Sequence, residues 1–146
     1  MHGGRTEQAI ATFRQVVELS PTYTAASFEL GMALFKAGQL VEAAEQFRQA
    51  IESNARFAPG HYMLGEACRK LGEFGEAIGA YEQVLVLNPK DADTFVRLAE
   101  CNVQLDFFDA AREALDNALA INPDNRDAVY LKKHLGEMAT PHKPGF

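Results

Sequence analysis

The sequence predicts an all-α solenoid of antiparallel helix pairs, and three observations support this fold class. Apolar and small residues recur in the same order every 34 residues along most of the 146-residue chain, as they do in repeat proteins. Apolar residues within each unit follow helical spacing. Glycine residues and Asn-Pro pairs separate the apolar segments, and these residues commonly end helices. Each unit therefore predicts two helices joined by a short turn, called here the first-type and the second-type helix.

The period is visible in several columns of the sequence. Pro89 and Pro123 lie 34 residues apart, and stepping back from Pro89 by the same distance reaches Ala55 and then Pro21. Ala55 is the one departure in that column. The core columns keep the same register: Leu30, Leu64 and Leu98; Ala9, Ala43, Ala77 and Ala111; Phe13, Phe47, Tyr81 and Leu115. So many columns in register exclude a chance match.

The second complete unit shows how each pair of helices is predicted. Residues 60–71 carry apolar side chains at helical spacing. Gly72 then ends the helix, since glycine readily adopts the left-handed backbone that often follows a helix. Residues 74–87 place a second apolar stripe on one face. Asn88-Pro89 ends this helix, because proline lacks a backbone N–H and restricts the residue before it.

One solenoid domain, residues 4–137, is predicted, with a half-repeat at each end. Its parts are the half-repeat 4–23, the complete repeats 24–57, 58–91 and 92–125, the capping helix 126–137 and, beyond the domain, a flexible tail 138–146. Gly4 falls in the column of the interhelical turns, so we expect the chain to be cut from a longer one. Lys132 and Lys133 replace the core Leu-Gly pair in the last helix, as a polar solenoid cap requires.

The N-terminal half-repeat predicts an apolar face without its first-type partner helix. Ile10, Phe13, Val16 and Val17 recur at helical spacing over residues 6–19. We expect this face to be covered in solution, with a second copy of the chain as the candidate for self-association.

The order of these residues resembles the tetratricopeptide repeat. In this sequence it reads Leu64-Gly65, Gly72, Ala77, Tyr81, Val84 and Pro89. The resemblance covers nearly all of residues 4–137. It implies a right-handed superhelical solenoid in which the first-type helices line the concave side and the second-type helices form the outer wall.

The resemblance also places a set of candidate partner-binding side chains on the concave surface. They stand at the fifth, ninth, twelfth and thirteenth positions of the first-type helices, and such positions share a helix face. They are Phe28, Met32, Phe35, Lys36, Tyr62, Glu66, Arg69, Lys70, Val96, Glu100, Val103, Tyr130 and His134. Aromatic residues, Met and Arg are enriched at protein interfaces. Packing between neighbouring repeats is the alternative role for the aromatic residues.

The implied partner is a protein or peptide. One subgroup of the family binds the acidic C-terminal tails of chaperones through Lys and Asn residues at the fifth and ninth positions, where this chain has Phe28 and Met32. Glu66 and Glu100 would also repel an acidic tail. We therefore expect a partner segment with apolar anchors and some basic character.

Composition and motifs exclude several classes of function. The net charge of −6 argues against nucleic acid, because binding a phosphate backbone requires a surplus of Lys and Arg. No run of about eighteen apolar residues is present for membrane insertion. The chain has no CxxC, no HExxH and no glycine-rich phosphate loop. We expect no catalytic residue, no metal and no cofactor, and a cytoplasmic location because no signal-peptide segment is visible.

Two groups that look like catalytic pairs have structural explanations. His61 and Cys68 are seven residues apart on one predicted helix, and about 10 Å at 1.5 Å per residue keeps the imidazole from the thiol. Cys68 and Cys101 are expected to be small core residues. Glu66 and Glu100 occupy equivalent places on neighbouring helices, and we expect a solvated groove surface there rather than an acid–base pair.

Three functions remain open at this point. The chain is an interaction scaffold, a regulatory or targeting fragment of an enzyme whose catalytic domain lies elsewhere, or a self-assembling module whose open end binds another copy. Fold alone does not choose between them.

Overall fold

The computed structural model describes residues 2–138, and over that range the chain forms eight α-helices joined by short turns. They are α1 (His2–Leu19), α2 (Thr24–Lys36), α3 (Leu40–Ser53), α4 (Ala58–Lys70), α5 (Phe74–Leu87), α6 (Ala92–Gln104), α7 (Phe108–Ile121) and α8 (Arg126–Met138). The prediction of an all-α fold is confirmed. Of the predicted tail, Met138 ends α8, and residues 139–146 lie outside the described residues.

The helices pack as antiparallel pairs that stack into a solenoid. The pairs α2–α3, α4–α5 and α6–α7 make the most extensive contacts, and α3 with α4 and α5 with α6 join one pair to the next. In addition α2 contacts α4, and α6 contacts α8. Helices on the inner side of a curved stack lie closest together. These contacts bring α2 next to α4 and α6 next to α8, as is expected if the first-type helices line the concave side.

The turns within the pairs use left-handed backbone where the sequence predicts it. Gly38 and Gly72 each have φ of 79°, and Asp106 in the same column has φ of 61°. Glycine adopts this conformation without steric cost, whereas other residues do so rarely. Gly4 belongs to the same column of the sequence but lies inside α1, so the prediction of a turn there is wrong. With no helix packed before it among the described residues, the α1 backbone stays helical from His2.

Glycines of the first-type helices make room for the aromatic rings of the second-type helices. A Cβ atom added to Gly31 would lie 2.6 Å from the Phe47 ring, and one added to Gly65 would lie 2.6 Å from the Tyr81 ring. The three atoms nearest to that Cβ position of Gly65 all belong to the Tyr81 ring. In the third pair the same two columns hold alanine and leucine, namely Ala99 and Leu115.

The two ends of the solenoid differ in how they are closed. At the C-terminus, Leu135 of α8 is buried and Lys132 Nζ lies 2.6 Å from Asp116 Oδ1 of α7, so α8 presents an apolar side inward and a polar side outward. At the N-terminus, α1 packs against α2, and Ile10 and Val17 are only 8% and 9% exposed. The chain itself therefore covers Ile10 and Val17, whereas Phe13 and Val16 of the same predicted face are half-buried, and self-association through this face stays a prediction.

Candidate partner-binding surface

A network of charged and phenolic side chains surrounds Glu66 on α4; we call it the Glu66 network. The side chain of Glu66 is buried, and one carboxylate oxygen lies 2.7 Å from Arg69 Nη2. The other oxygen lies 3.2 Å from Arg97 Nε and accepts a hydrogen bond of 3.1 Å from Tyr81 Oη. Tyr62 borders the network, because its ring packs against Tyr81 and Arg97 affects its pKa. The network therefore connects α4, α5 and α6.

The network keeps the Glu66 carboxylate ionised. Burial alone would raise the pKa of Glu66, but the hydrogen bond from Arg69 and the charges of Arg69 and Arg97 bring this pKa below its ordinary value of 4.5. Burial would likewise lower the pKa of Arg97, whereas the hydrogen bond with Tyr62 and the charges of Glu66 and Glu100 raise it. The sequence-based expectation of a solvated Glu66 is wrong, because its charge is neutralised within the fold.

Of the predicted surface residues, Glu100 and Arg69 extend this network toward solvent. Glu100 Oε1 lies 3.2 Å from Arg97 Nη1, and Glu100 and Arg69 border one cavity of about 190 Å³. Arg97 itself was left out of the predicted set. The signal was present, because Arg97 stands three residues before Glu100, a spacing at which opposite charges pair on a helix.

A larger cavity, the N-terminal pocket, opens between α1 and α2 and has a volume of about 360 Å³. Its lining consists of Arg5, Thr6, Ala9 and Phe13 of α1, and Phe28, Glu29, Met32, Ala33 and Lys36 of α2. Phe28, Met32 and Lys36 were predicted as surface residues, and the structure brings all three together here. Sequence analysis did not include Arg5 and Glu29 in the set.

Phe28 also packs between helices. Its ring meets Phe57 edge-on at 5.0 Å between centroids and lies 5.7 Å from the Phe47 ring. Such aromatic pairs contribute about 0.5–1.5 kcal/mol beyond their buried area. Phe28 therefore has the packing role that sequence reasoning considered as the alternative, and it also borders the N-terminal pocket.

A second basic position follows Lys36 in the next repeat. Lys70 Nζ lies 5.7 Å from the centre of the half-buried Phe35 ring, within range of a cation–π contact. Lys36 and Lys70 are both exposed. Together they give the α2–α4 part of the surface a positive charge next to apolar side chains.

Two further predicted residues, Tyr62 of α4 and Val103 of α6, are partly buried. Tyr62 is half-buried, packs edge-on against Tyr81 at 5.8 Å and borders a separate cavity of about 320 Å³ that also contains Asp91 and Asp93. Val103 is half-buried against the core.

At the C-terminal end, the predicted residues surround a smaller cavity between α6 and α8. Val96, Glu100 and Tyr130 line this cavity of about 220 Å³. Val96 is buried, so it belongs mainly to the core, whereas Tyr130 is 64% exposed. The Tyr130 ring lies 4.2 Å from His134, whose Nδ1 is 3.4 Å from Glu137 Oε2.

The side chains that could suggest catalysis take part in packing. Cys68 and Cys101 are fully buried, and burial raises the pKa of each thiol to about 11. The expectation that both are core residues is confirmed. His61 is also buried, with Nε2 2.8 Å from the carbonyl oxygen of Ala55. Among the described residues, no helix has the length and apolar character needed to cross a membrane.

Comparison with protein families identifies the repeats. One family model described as tetratricopeptide repeat matches residues 2–61 and 42–94, and a second with the same description matches residues 69–135. The chain belongs to the tetratricopeptide repeat family. The resemblance inferred from the repeated columns is thus confirmed.

Solved structures share the fold of this tetratricopeptide repeat chain. The crystal structure of MamA is 22% identical with a TM-score of 0.80, and the match covers 93% of this chain and 90% of that one. The first TPR of Spaghetti (RPAP3), bound to the HSP90 peptide SRMEEVD, is 17% identical with a TM-score of 0.74, covering 79% and 91%. The Arabidopsis OM64 TPR domain is 22% identical with a TM-score of 0.73, covering 79% and 95%. No curated protein sequence matches the chain.

Proposed function

We propose that this tetratricopeptide repeat chain is a non-catalytic interaction module that binds a segment of a protein partner on its concave surface. The observation that carries this proposal is the presence of accessible apolar side chains beside fixed charges on the first-type helices. Met32 and Phe35 are half-buried and Tyr130 is exposed, so all three first-type-helix side chains keep accessible surface. Apolar and aromatic side chains of this kind provide the binding energy of most interfaces.

The family and its solved members support the same function. The Spaghetti repeat, which shares the fold, was solved with a peptide bound. Met32 and Phe35 pack against the core of the present chain but stay partly accessible, whereas Tyr130 is not part of the core and is exposed. An open apolar surface with a polar rim is typical of a protein-binding site.

The charges indicate which segments fit the α2–α4 part of the surface. Glu66 is neutralised by Arg69 and Arg97, so it does not repel an acidic partner. Lys36 and Lys70 remain exposed beside the apolar residues. We infer a segment with apolar anchors and acidic side chains. The sequence-based preference for a partner with some basic character counted Glu66 and Glu100 as free carboxylates, whereas Arg97 lies beside both.

The test is affinity capture from an extract of the source cells with three proteins compared side by side. They are the wild type, a double variant with Phe35→Ala and Lys70→Glu, and the control Val86→Ala. Val86 is 72% exposed on the outer helix α5 and lies outside the proposed surface. Circular dichroism establishes that all three are folded.

The expected result is one protein that the wild type and Val86→Ala retain and that the double variant loses. The proposal requires this difference between concave and outer positions. Retention that is equal for all three proteins, or loss that is equal for both variants, would place binding elsewhere and overturn the proposal.

A further inference from the structure

The aromatic ring of Phe13 lacks, among the described residues, the first-type helix that its counterparts in the other repeats pack against. Phe47 packs onto Gly31 and Tyr81 packs onto Gly65, so closely that a Cβ atom would lie 2.6 Å from either ring. Phe13 occupies the same column in α1, where the described residues supply no first-type helix to cover it. Its half-buried ring borders the N-terminal pocket instead.

The pocket has an apolar floor and charges that are separated along its length. Phe13, Phe28 and Met32 form part of the floor. Because α1 and α2 run antiparallel, Arg5 near the start of α1 and Lys36 at the end of α2 lie at the same end of the pocket. Glu29 stands seven residues before Lys36, which corresponds to about 10 Å along the helix toward the other end.

These charges favour one of the two orientations in which an α-helix could lie in the pocket. A helix placed as the other first-type helices are placed runs antiparallel to α1 and parallel to α2. Its C-terminus then lies beside Arg5 and Lys36, where the free carbonyl groups of a helix carry partial negative charge. Its N-terminal half, which carries partial positive charge, lies toward Glu29.

We propose that the N-terminal pocket is a docking site for an amphipathic α-helix of a protein partner. The helix carries Gly or Ala against Phe13, apolar residues against Phe28 and Met32, and an acidic or uncharged last turn beside Arg5 and Lys36. The small residue is required because the ring and the helix backbone approach as Phe47 and Gly31 do. This inference rests on the proposed function, since Phe28, Met32 and Lys36 belong to the same concave surface.

A second copy of the chain fits the pocket poorly. Among the described residues, α8 is the first-type helix with no second-type helix after it, and in the columns that meet the ring it carries Lys132 and Lys133 in place of Leu-Gly. Lys132 is moreover paired with Asp116 of α7 at 2.6 Å. A lysine at the glycine position would place a long charged side chain against Phe13.

The probe is a synthetic peptide with the sequence of residues 24–37 carrying Lys36→Glu, acetylated, amidated and dye-labelled. It contains Leu30-Gly31, which already packs against a phenylalanine in the fold, and an acidic last turn. The matched peptide carries Gly31→Leu in addition. Leucine raises helix propensity and apolar area, so non-specific association would favour the matched peptide. Binding to the intact chain is measured by fluorescence anisotropy.

The expected result is saturable binding of the glycine peptide and about tenfold weaker binding of the leucine peptide, because overpacking opposes the close approach. Equal or tighter binding of the leucine peptide would overturn the proposal. A dissociation constant above about 1 mM for both peptides would do the same.

Two protein variants locate the binding. Phe13→Glu removes the aromatic ring. Lys36→Glu reverses an exposed charge outside the core, so it still tests the site if Phe13→Glu does not fold. Lys36→Glu should weaken binding of the glycine peptide, whereas Lys90→Glu, an exposed charge reversal in the turn between α5 and α6, should not. Equal effects of Lys36→Glu and Lys90→Glu would contradict docking in this pocket.

Sedimentation of the chain without peptide tests whether a second copy of the chain occupies the pocket. A dimer that Phe13→Glu abolishes would assign the pocket to a second copy and overturn the proposal. A monomer that binds the peptide supports it. If the peptide fails while Phe35→Ala with Lys70→Glu still loses a captured partner, the docking inference fails and the proposed function stands.

Discussion

A single buried carboxylate, that of Glu66, joins three helices of the solenoid. Two guanidinium groups and a phenol satisfy it, with Arg69 at 2.7 Å, Arg97 at 3.2 Å and Tyr81 at 3.1 Å. A buried charge is tolerated only when its partners compensate the loss of water. Arg97 comes from the following repeat, so the network stabilises the contact between two repeats as well as the side chain itself.

Replacing this carboxylate should reduce stability in a pH-dependent way. Glu66→Gln should cost about 1.5–3 kcal/mol at neutral pH, the usual contribution of hydrogen bonds to a charged group. The folded-state pKa of Glu66 lies below its ordinary value of 4.5. The stabilisation is therefore complete above 4.5 and is lost as the pH falls through the lower folded-state value.

Thermal unfolding of wild type and Glu66→Gln over a series of pH values checks this prediction. The difference in melting temperature should be largest at neutral pH and should shrink once the pH falls below 4.5. A difference that does not change with pH would mean that the Glu66 charge contributes nothing to stability.

Sequence reasoning missed this network for a physical reason. Glu66 shares a helix face with other predicted groove positions, and spacing along one helix describes only such local neighbours. Its burial depends on Arg97 in the next repeat, at a distance along the chain that helical periodicity does not describe. Long-range charge pairing of this kind follows from the packing of one repeat on another.

At the scale of the helix, each first-type helix is fitted to the side chain that faces it. Gly65 has the Tyr81 ring 2.6 Å from where its Cβ would stand, whereas Gly79 of α5 has nothing within 4 Å of that position. Both residues lie within α-helices. The two glycines therefore separate the effect of close packing from that of helix propensity.

The same substitution at these two glycines should have opposite effects. Gly65→Ala should destabilise the chain by about 1–3 kcal/mol, because the buried Tyr81 ring must move. Gly79→Ala should stabilise it by about 0.5–1 kcal/mol, since alanine favours the helix and meets no neighbour. Urea unfolding measures both. An increase in the free energy of unfolding for both variants would show that the Tyr81 ring adapts freely to the added methyl group.

The N-terminal element shows a limit of the repeat pattern. The sequence places Gly4 in a turn and leaves Ile10 and Val17 uncovered, but α1 includes Gly4 and α2 buries both apolar residues. A column of the repeat predicts the conformation and burial of a residue when the helices on both sides of it are present. The described residues provide α1 with only one neighbouring helix, α2, and the contacts with α2 accompany its conformation.

At the scale of the whole molecule, stability is distributed along one dimension. Each helix packs mainly against the helices before and after it, with additional contacts such as those of α2 with α4. In such an array a lost contact weakens its own neighbourhood more than distant repeats. The periodic columns predicted this architecture well, because similar residues recur at the same positions of each repeat and pack in the same way.

Core substitutions at the two ends should therefore have local effects. Leu135→Ala in α8 should cost about 2–5 kcal/mol, because a buried leucine leaves a cavity. Hydrogen exchange should show the loss of protection mainly in α7 and α8. Leu34→Ala in α2, equally buried, should affect α1 to α3 instead. If both variants lower protection uniformly along the chain, the solenoid unfolds as one cooperative unit.

The close fit between a glycine and the aromatic ring that packs on it also determines which recombinations between repeats preserve the fold. Phe47 and Tyr81 each need a glycine opposite, whereas Ala99 is paired with the smaller Leu115. Recombination between repeats at the Asn-Pro boundary carries both members of a pair together and keeps the fit. A crossover at the turn within a pair can join Ala99 to a tyrosine and force the two helices apart. New solenoids should therefore arise from this one by the gain or loss of whole helix pairs.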